Sequence, residues 1–166
     1  MKILGIDPAL FVTGYGLIES KNNKLSLLAS GVIITSAKKD YSFRLNQIYS
    51  QILNIIKQFN PEVIVLEKMY IHFRHPTTAY ILGQVKGVIS LLSAQTEVPL
   101  YEYAPTRIKK SLLGAGQASK YQVQRMVMEL LKIKEIPSHT DITDALAVAI
   151  AHSYISKTEF VISKMR

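Results

Sequence analysis

Residues 63–66 constrain the fold more than any other short stretch of this chain. The sequence there is Val-Ile-Val-Leu, continuously apolar and mostly β-branched, and Asn60-Pro61 just before it stops a preceding helix. A run this short is typical of a β-strand, and a strand without polar alternation is one buried on both faces. The sequence therefore predicts a sheet that is covered by helices on both sides.

The remaining pattern predicts the elements that build those layers. Short apolar or alternating runs bounded by turn residues indicate strands, and apolar residues at helical spacing indicate helices. The predicted strands cover residues 2–6, 13–19, 25–34, 63–66 and 99–103. The predicted helices cover residues 42–59, 77–94, two shorter segments within 106–134, and 140–156. This order, βββαβαβααα, predicts an α/β fold with a mixed five-stranded sheet and helices on both faces.

Length and composition predict one folded domain. The chain has 166 residues, of which 48% are hydrophobic and 19% charged, and it contains no cysteine. We expect a single domain over residues 1–156 and a frayed basic tail over 157–166. No apolar run reaches the roughly 18 residues that would span a membrane, so we expect a cytoplasmic protein. The lack of cysteine excludes thiolate metal sites and cysteine nucleophiles.

The charge of the chain favours a polyanionic partner. Twenty Lys and Arg against twelve Asp and Glu give a net charge of +8, which suits nucleic acid or an anionic membrane surface, although a solubilising surface is the simpler alternative. The distribution favours binding, because residues 107–134 hold seven basic residues and a single acid, Glu129. The seven are Arg107, Lys109, Lys110, Lys120, Arg125, Lys132 and Lys134.

Four acids stand at the edges of apolar segments. Asp7 and Glu67 end two predicted strands, whereas Asp141 and Asp144 lie three apart, on one face of the first turn of the last helix. Each has an ordinary explanation, such as a turn residue or an acid that stabilises a helix N-terminus. However, the segment 145–151 that follows is apolar all round and rich in alanine, so this helix must pack closely on an apolar surface. The obvious surface is the sheet that carries Asp7 and Glu67.

Carboxylates that meet in this way need cations. Two like charges ~4 Å apart repel by ~4 kcal/mol at an effective dielectric constant of ~20. Oxygen ligands without cysteine or a compact histidine cluster suit Mg²⁺ or Mn²⁺ better than Zn²⁺. Two such ions can activate water and stabilise the leaving oxygen of a phosphodiester, which is nuclease chemistry. His139, two residues before Asp141, is either a base near this site or an exposed residue that precedes the helix.

Long motifs in this order resemble the RuvC family of Holliday-junction resolvases, within the RNase H-like superfamily. They span residues 3–152 and read ILGIDP with VTGYG, VIVLE, LGQVKGVI, YAPTRIKKSLLGAGQASKYQVQRMV and DITDALAVAIAH. The resemblance implies an RNase H-like fold and a catalytic, metal-binding quartet of Asp7, Glu67, Asp141 and Asp144. It also implies a Mg²⁺-dependent endonuclease with two ions per subunit, acting as a homodimer that nicks a four-way DNA junction symmetrically in recombination and repair. A branch-migration complex of RuvA and RuvB is the partner that the resemblance suggests.

The resemblance also assigns residues to DNA. Lys109 and Lys120 match the family's catalytic or DNA-contacting lysines, with Lys120 suited to the developing phosphorane charge and Lys109 to a phosphate contact. Tyr70 matches an aromatic residue that stacks on junction bases, and Arg74 follows it in a loop that we expect to be exposed. Lys110 belongs to the same basic segment. A solvated helix face for the lysines, and core packing for Tyr70, are the alternatives.

Two departures from the family pattern and several other functions remain open. Ala9 takes the place of a glycine after Asp-Pro, where a positive φ would be strained, and Lys68 takes the place of an uncharged amide. An RNase H-like nuclease acting on RNA would share the four acids, and a non-catalytic junction-binding protein would use them only as caps. A sugar-kinase or actin-like phosphotransferase would also start on such a strand, but it needs a duplicated second half.

Overall fold

One sheet organises the structure, a computed structural model that describes residues 1–68 and 76–164. Its strands are β1 (Lys2–Asp7), β2 (Val12–Lys21), β3 (Lys24–Ile34), β4 (Val63–Glu67) and β5 (Leu100–Tyr103). They lie in the order β3-β2-β1-β4-β5, with β1–β2 and β2–β3 antiparallel and β4 parallel to both β1 and β5. The predicted mixed five-stranded sheet is confirmed.

Helices cover both faces of this sheet, as the strand at 63–66 predicts. They are α1 (Tyr41–Phe59), α2 (Pro76–Thr96), α3 (Pro105–Leu113), α4 (Lys120–Leu131) and α5 (Thr140–Lys164). Alternate residues of β4 enter different cores: Val63 and Val65 pack with α3, α4 and α5, whereas Ile64 and Leu66 pack with α1 and α2. In the part of the chain that the structure describes, no helix is long and apolar enough to cross a membrane.

The helix α5 lies unusually close to the strands beneath it. A side chain added at Gly5 would collide with the backbone oxygen of Ala145, and one added at Gly14 would collide with that of Asp141. Glycine in the strands therefore meets alanine in the helix, which brings the two backbones nearly into contact. The alanine-rich segment 145–151 needs this surface because it is buried throughout. The predicted close packing of the last helix on the strand that carries Asp7 is confirmed.

The end of α5 differs from the prediction. The helix was expected to stop at 156 and to give way to a frayed tail, but it continues to Lys164, so residues 157–164 are helical. The extension also contacts α3, since Glu159 forms an exposed ion pair with Arg107, with 2.5 Å between Nη2 and Oε1. Sequence polarity suggested a free end because the partner lies far away along the chain.

We expect Gly14→Ala to lower the free energy of unfolding by about 1–3 kcal/mol, because an added methyl group in a closely packed interior displaces its neighbours. Here the displaced group is the backbone of Asp141. Gly83→Ala is the matched control: Gly83 is also within a secondary-structure element, but nothing lies within 4 Å of the added methyl group. That variant should be as stable as the wild type or more so. Denaturant unfolding measures both, and equal stability of the Gly14→Ala variant would contradict the close packing.

Candidate active site

The pleat of the sheet aims two strand acids at the same helix. In β1, Ile3 packs on the α5 side and Ile6 on the α1 side, so the side-chain alternation turns Asp7 toward α5. In β4 the same alternation turns Glu67 toward α5, because Val65 packs on that side. The two strands are parallel neighbours and end together, which places both acids at one edge of the sheet. The strand ends at Asp7 and Glu67 were predicted, and the parallel pairing of β1 with β4 brings them together.

The first turn of α5 brings the helix acids to that edge. Asp141 lies against Gly14, which pairs with Asp7 across the β1–β2 ladder. Asp144 lines a cavity of about 300 Å³ together with Asp7 and Glu67. Asp141 does not line this cavity, yet its charge acts on Asp7. The predicted quartet therefore gathers at one place, with Asp141 at its margin.

Two lysines from the basic segment line the same cavity. Lys109 reaches it from α3 and Lys120 from the first turn of α4. The Lys120 ammonium forms an ion pair with Asp144, with 2.6 Å between Nζ and Oδ2. Ser119, the residue before Lys120, caps α4 through a capping box with Gln122. Apolar residues complete the walls of the cavity: Pro105, Ile108, Val123 and Ala147.

Electrostatics at Asp7 reflect this crowding of acids. The pKa of the Asp7 carboxyl is raised from 3.8 to about 7, first by burial and then by the charges of Asp144, Asp141 and Glu67, against an opposing effect of Lys120. The pKa of Glu67 is also raised, first by loss of solvent and then by Asp144, although the side chain keeps an exposed surface. Lys109, Lys86 and Lys120 counteract that rise. A site that pushes protons onto its acids is one that favours a bound cation.

The donor set fits a hard divalent cation. All the candidate ligands are carboxylates, and their mutual repulsion is the property that such an ion relieves. Within residues 1–68 and 76–164, however, no three acid or histidine side chains converge closely enough to form a finished metal site.

Other predicted residues lie away from this cavity. Lys110 lines a separate cavity between α3 and α5, and His139 contributes its backbone carbonyl to Ile142 at the start of α5. Ala9 does not adopt a positive φ, so its departure from glycine leaves the backbone unstrained. Lys68 is exposed and donates its backbone N–H to Tyr103. Tyr70 and Arg74 lie outside the described residues, and their roles stay predictions.

Lys86 is a residue at this site that the sequence analysis missed. It lies on α2, and its ammonium donates a hydrogen bond of 2.7 Å to the backbone carbonyl of Glu67 and forms an ion pair with Glu102, also at 2.7 Å. A signal was present in the sequence, since this lysine interrupts the apolar motif LGQVKGVI between Val85 and Ile89, which are both fully buried.

The raised pKa of Asp7 makes the stability of the metal-free protein depend on pH. Between about pH 4 and about pH 7 the folded state holds a proton that the unfolded chain releases, so this carboxyl costs stability as the pH rises. We expect Asp7→Asn to raise the melting temperature at pH 8 by roughly 5 °C, with a gain that disappears toward pH 4.

Asp40→Asn is the matched control for this measurement. Asp40 precedes α1, is exposed, and makes no side-chain cap. Its replacement should change the melting temperature by less than about 2 °C at either pH. Calorimetry in the presence of a chelator measures both variants, and an Asp7→Asn protein that gains nothing at pH 8 would contradict the electrostatic account.

Comparison with known proteins identifies the family. Residues 3–152 match the family described as crossover junction endodeoxyribonuclease RuvC. A RuvC from Caldanaerobacter subterraneus subsp. tengcongensis is 42% identical over 154 residues, which cover 93% of each chain. One from Heliobacterium modesticaldum is 44% identical over 155 residues, covering 92% of this chain and 95% of the relative.

Solved structures agree with the sequence comparison. Thermus thermophilus RuvC in complex with a Holliday junction substrate superposes with a TM-score of 0.91 at 31% identity, covering 96% of each chain. The yeast mitochondrial Holliday junction resolvase Ydc2 shares the fold alone, with a TM-score of 0.64 at 17% identity over 92% of this chain and 77% of its own. This chain belongs to the RuvC family of crossover junction endodeoxyribonucleases.

Proposed function

We propose that this protein is a structure-selective endonuclease that resolves four-way DNA junctions by metal-dependent hydrolysis of phosphodiester bonds, in recombination and repair. The observation that carries the proposal is the cavity of about 300 Å³ in which Asp7, Glu67 and Asp144 face Lys109 and Lys120. Acids to hold cations and lysines to meet phosphate are both needed for this reaction, and here they share one cavity. Membership of the RuvC family supplies the junction as substrate.

Mg²⁺ is the proposed cofactor, with two ions per subunit and Mn²⁺ as a possible substitute. The ligands would be the quartet of Asp7, Glu67, Asp141 and Asp144. When bound, the ions supply Lewis acidity, which activates the attacking water and stabilises the leaving oxygen. The protein contributes the position of the acids, because rigid strand ends and a closely packed helix hold them at one edge of the sheet.

The two lysines have different surroundings and different proposed roles. Lys120 is paired with Asp144 at the acid cluster, so its ammonium is placed to neutralise negative charge that develops on the phosphorus centre. Lys109 lies on α3 at the other wall, where it is suited to hold a phosphate of the strand in register. The ion pair of Lys120 is largely exposed, with 64% of the lysine side chain accessible, so little energy holds it in place.

DNA would lie across this edge of the sheet and the adjoining basic segment. Attraction between the segment 107–134 and the phosphates supplies affinity that depends on salt. Tyr70, Arg74 and Lys110 are further proposed contacts, with Tyr70 stacking on an unpaired base near the junction centre.

A homodimer is the proposed assembly, because a two-fold symmetric junction is matched by a two-fold symmetric protein. The face of α2 opposite the core is suited to the contact. Tyr80 and Leu91 there are 68% and 53% exposed, and Gly87 lies between them with open space around it. Val85, by contrast, belongs to the core, so it does not contribute to this face. Docking of RuvA and RuvB, and a cytoplasmic location, are further predictions from the family.

The dimer proposal predicts that Leu91→Glu gives a monomer, because a charge at the centre of an apolar contact must be desolvated without a partner. Sedimentation velocity at micromolar concentration measures the mass. Leu28→Glu is the matched control, at an exposed leucine of β3 on the far edge of the sheet, and it should leave the mass unchanged. A Leu91→Glu protein that stays dimeric would place the interface elsewhere.

The catalytic proposal predicts that Asp7→Asn slows cleavage of a synthetic four-way junction in Mg²⁺ at least about 1,000-fold, because metal ions contribute several kcal/mol to such reactions. Junction binding should persist, since the basic segment is untouched, and Asp40→Asn should cleave like the wild type.

A cleavage assay on several substrates separates the remaining functions. It compares cleavage of a four-way junction, a duplex, a single strand and an RNA·DNA hybrid, with and without Mg²⁺. Cleavage restricted to the junction supports the proposal, whereas preferred cleavage of the hybrid would indicate an RNA-directed nuclease. Tight junction binding without cleavage by the wild type would indicate a non-catalytic binding protein.

A further inference from the structure

Lys86 is a buried lysine directly behind the candidate active site. Only 11% of its side chain is accessible, although lysine is among the residues least often buried. It lies on α2 between residues of the apolar core, at a position where a purely hydrophobic side chain would pack without desolvating a charge. A lysine here therefore needs a reason beyond packing.

The contacts of Lys86 converge on the strand end that carries Glu67. Pairing of β4 with β1 ends at Leu66, whereas pairing with β5 extends to Glu67, opposite Tyr103, so the backbone of Glu67 is held by a neighbouring strand on one side only. The Lys86 ammonium donates to the carbonyl oxygen of Glu67 at 2.7 Å. On its other side it pairs with Glu102 of β5, also at 2.7 Å. One ammonium thus joins α2, β4 and β5 at the residue whose carboxylate faces the cavity.

We propose that Lys86 is a positioning residue that fixes the end of β4, so that the Glu67 carboxylate is held ready for a divalent cation. This inference rests on the proposed function, because Glu67 is there a metal ligand. Lys86 acts on the backbone of Glu67, without facing the cavity itself.

Glu102 orients the lysine in this arrangement. Its side chain is 40% exposed and lies close enough to hold the Lys86 ammonium at the strand end. The pair explains why the buried charge is tolerated: the ammonium has one charged and one neutral acceptor. Partners that orient a ligand in this way typically change metal affinity or activity by about 10–100-fold when removed.

The test titrates the metal-free full-length protein with Mg²⁺ alone, by calorimetry, and separately measures the Mg²⁺ dependence of junction cleavage. We expect Lys86→Met to weaken Mg²⁺ binding about 10-fold and to raise the Mg²⁺ concentration for half-maximal cleavage by a similar factor. Cleavage at saturating Mg²⁺ should largely recover, and junction binding in the presence of a chelator should be unchanged. Lys86→Arg, which keeps a charged donor, should restore part of the Mg²⁺ affinity.

Lys57→Met is the matched control, because it makes the same substitution at an exposed lysine of α1. It should bind Mg²⁺ like the wild type. If Lys86→Met proves too unstable to study, Glu102→Gln serves as the second variant, since it leaves the lysine in place but loosens its hold. It should weaken Mg²⁺ binding by a smaller factor of about 3, within the range expected for such partners.

Wild-type Mg²⁺ affinity in Lys86→Met, or lost cleavage at saturating Mg²⁺ with unchanged affinity, would overturn the proposal. Failure of the proposed function has a different signature. A wild-type protein that binds Mg²⁺ but cleaves no junction would leave the metal titration of Lys86→Met interpretable, while refuting the nuclease assignment.

Discussion

The near contact between α5 and the first two strands is the constraint on which the site depends. Gly5 and Gly14 provide strand surface without side chains, and the alanine-rich helix lies on it so closely that a single methyl group would not fit. This contact is not only a packing feature, because Asp141 lies on Gly14 and Asp144 follows within one turn. The distance between the helix acids and the strand acids is therefore set by the smallest residues in the sheet. A larger residue at either glycine would open the acid cluster as well as the core.

Much of the architecture could be predicted from the sequence because it follows from local pattern. The apolar strand at 63–66 predicted helices on both faces of the sheet, and the alanine-rich segment predicted close packing against an apolar surface. The strand endings at Asp7 and Glu67 then located the site, since parallel neighbours end at one edge. The structure supplied the direction of the two side chains, because the pleat turns both acids toward α5.

Other features depend on contacts between distant residues, which a pattern does not record. Lys109 and Lys110 are adjacent in sequence, but successive residues of a helix point about 100° apart, so the two lysines line different cavities. The hydrogen bond from Lys86 to Glu67 joins residues 19 apart in sequence, and the lysine lies on a helix face whose pattern predicts core packing. The extension of α5 beyond residue 156 was missed for the same reason, as its ion pair spans 52 positions.

The site combines opposite charges in a way that the net charge of +8 conceals. The pKa of the Asp7 carboxyl is raised to about 7 by burial first and then by the neighbouring acids, and Lys120 offsets the rise only in part. The cluster is thus an anionic region within a cationic protein. A phosphodiester would be attracted by the surrounding lysines but repelled by the acids until cations neutralise them. Approach of the substrate and occupation of the acids are consequently coupled by simple electrostatics.

The packing of α3 on α5 gives α5 a second role. At its first turn this helix carries Asp141 and Asp144, and beyond that turn it packs with Ile108 and Leu112 of α3, the helix that bears Lys109. The acids of α5 and the helix that carries Lys109 are therefore linked through α5. A shift of α5 along the sheet would carry the helix acids and the α3 lysine in the same direction, while the strand acids stayed behind. A small displacement of α5 would therefore change the distances from Asp141 and Asp144 to Asp7 and Glu67. It would change the distances from those helix acids to Lys109 less.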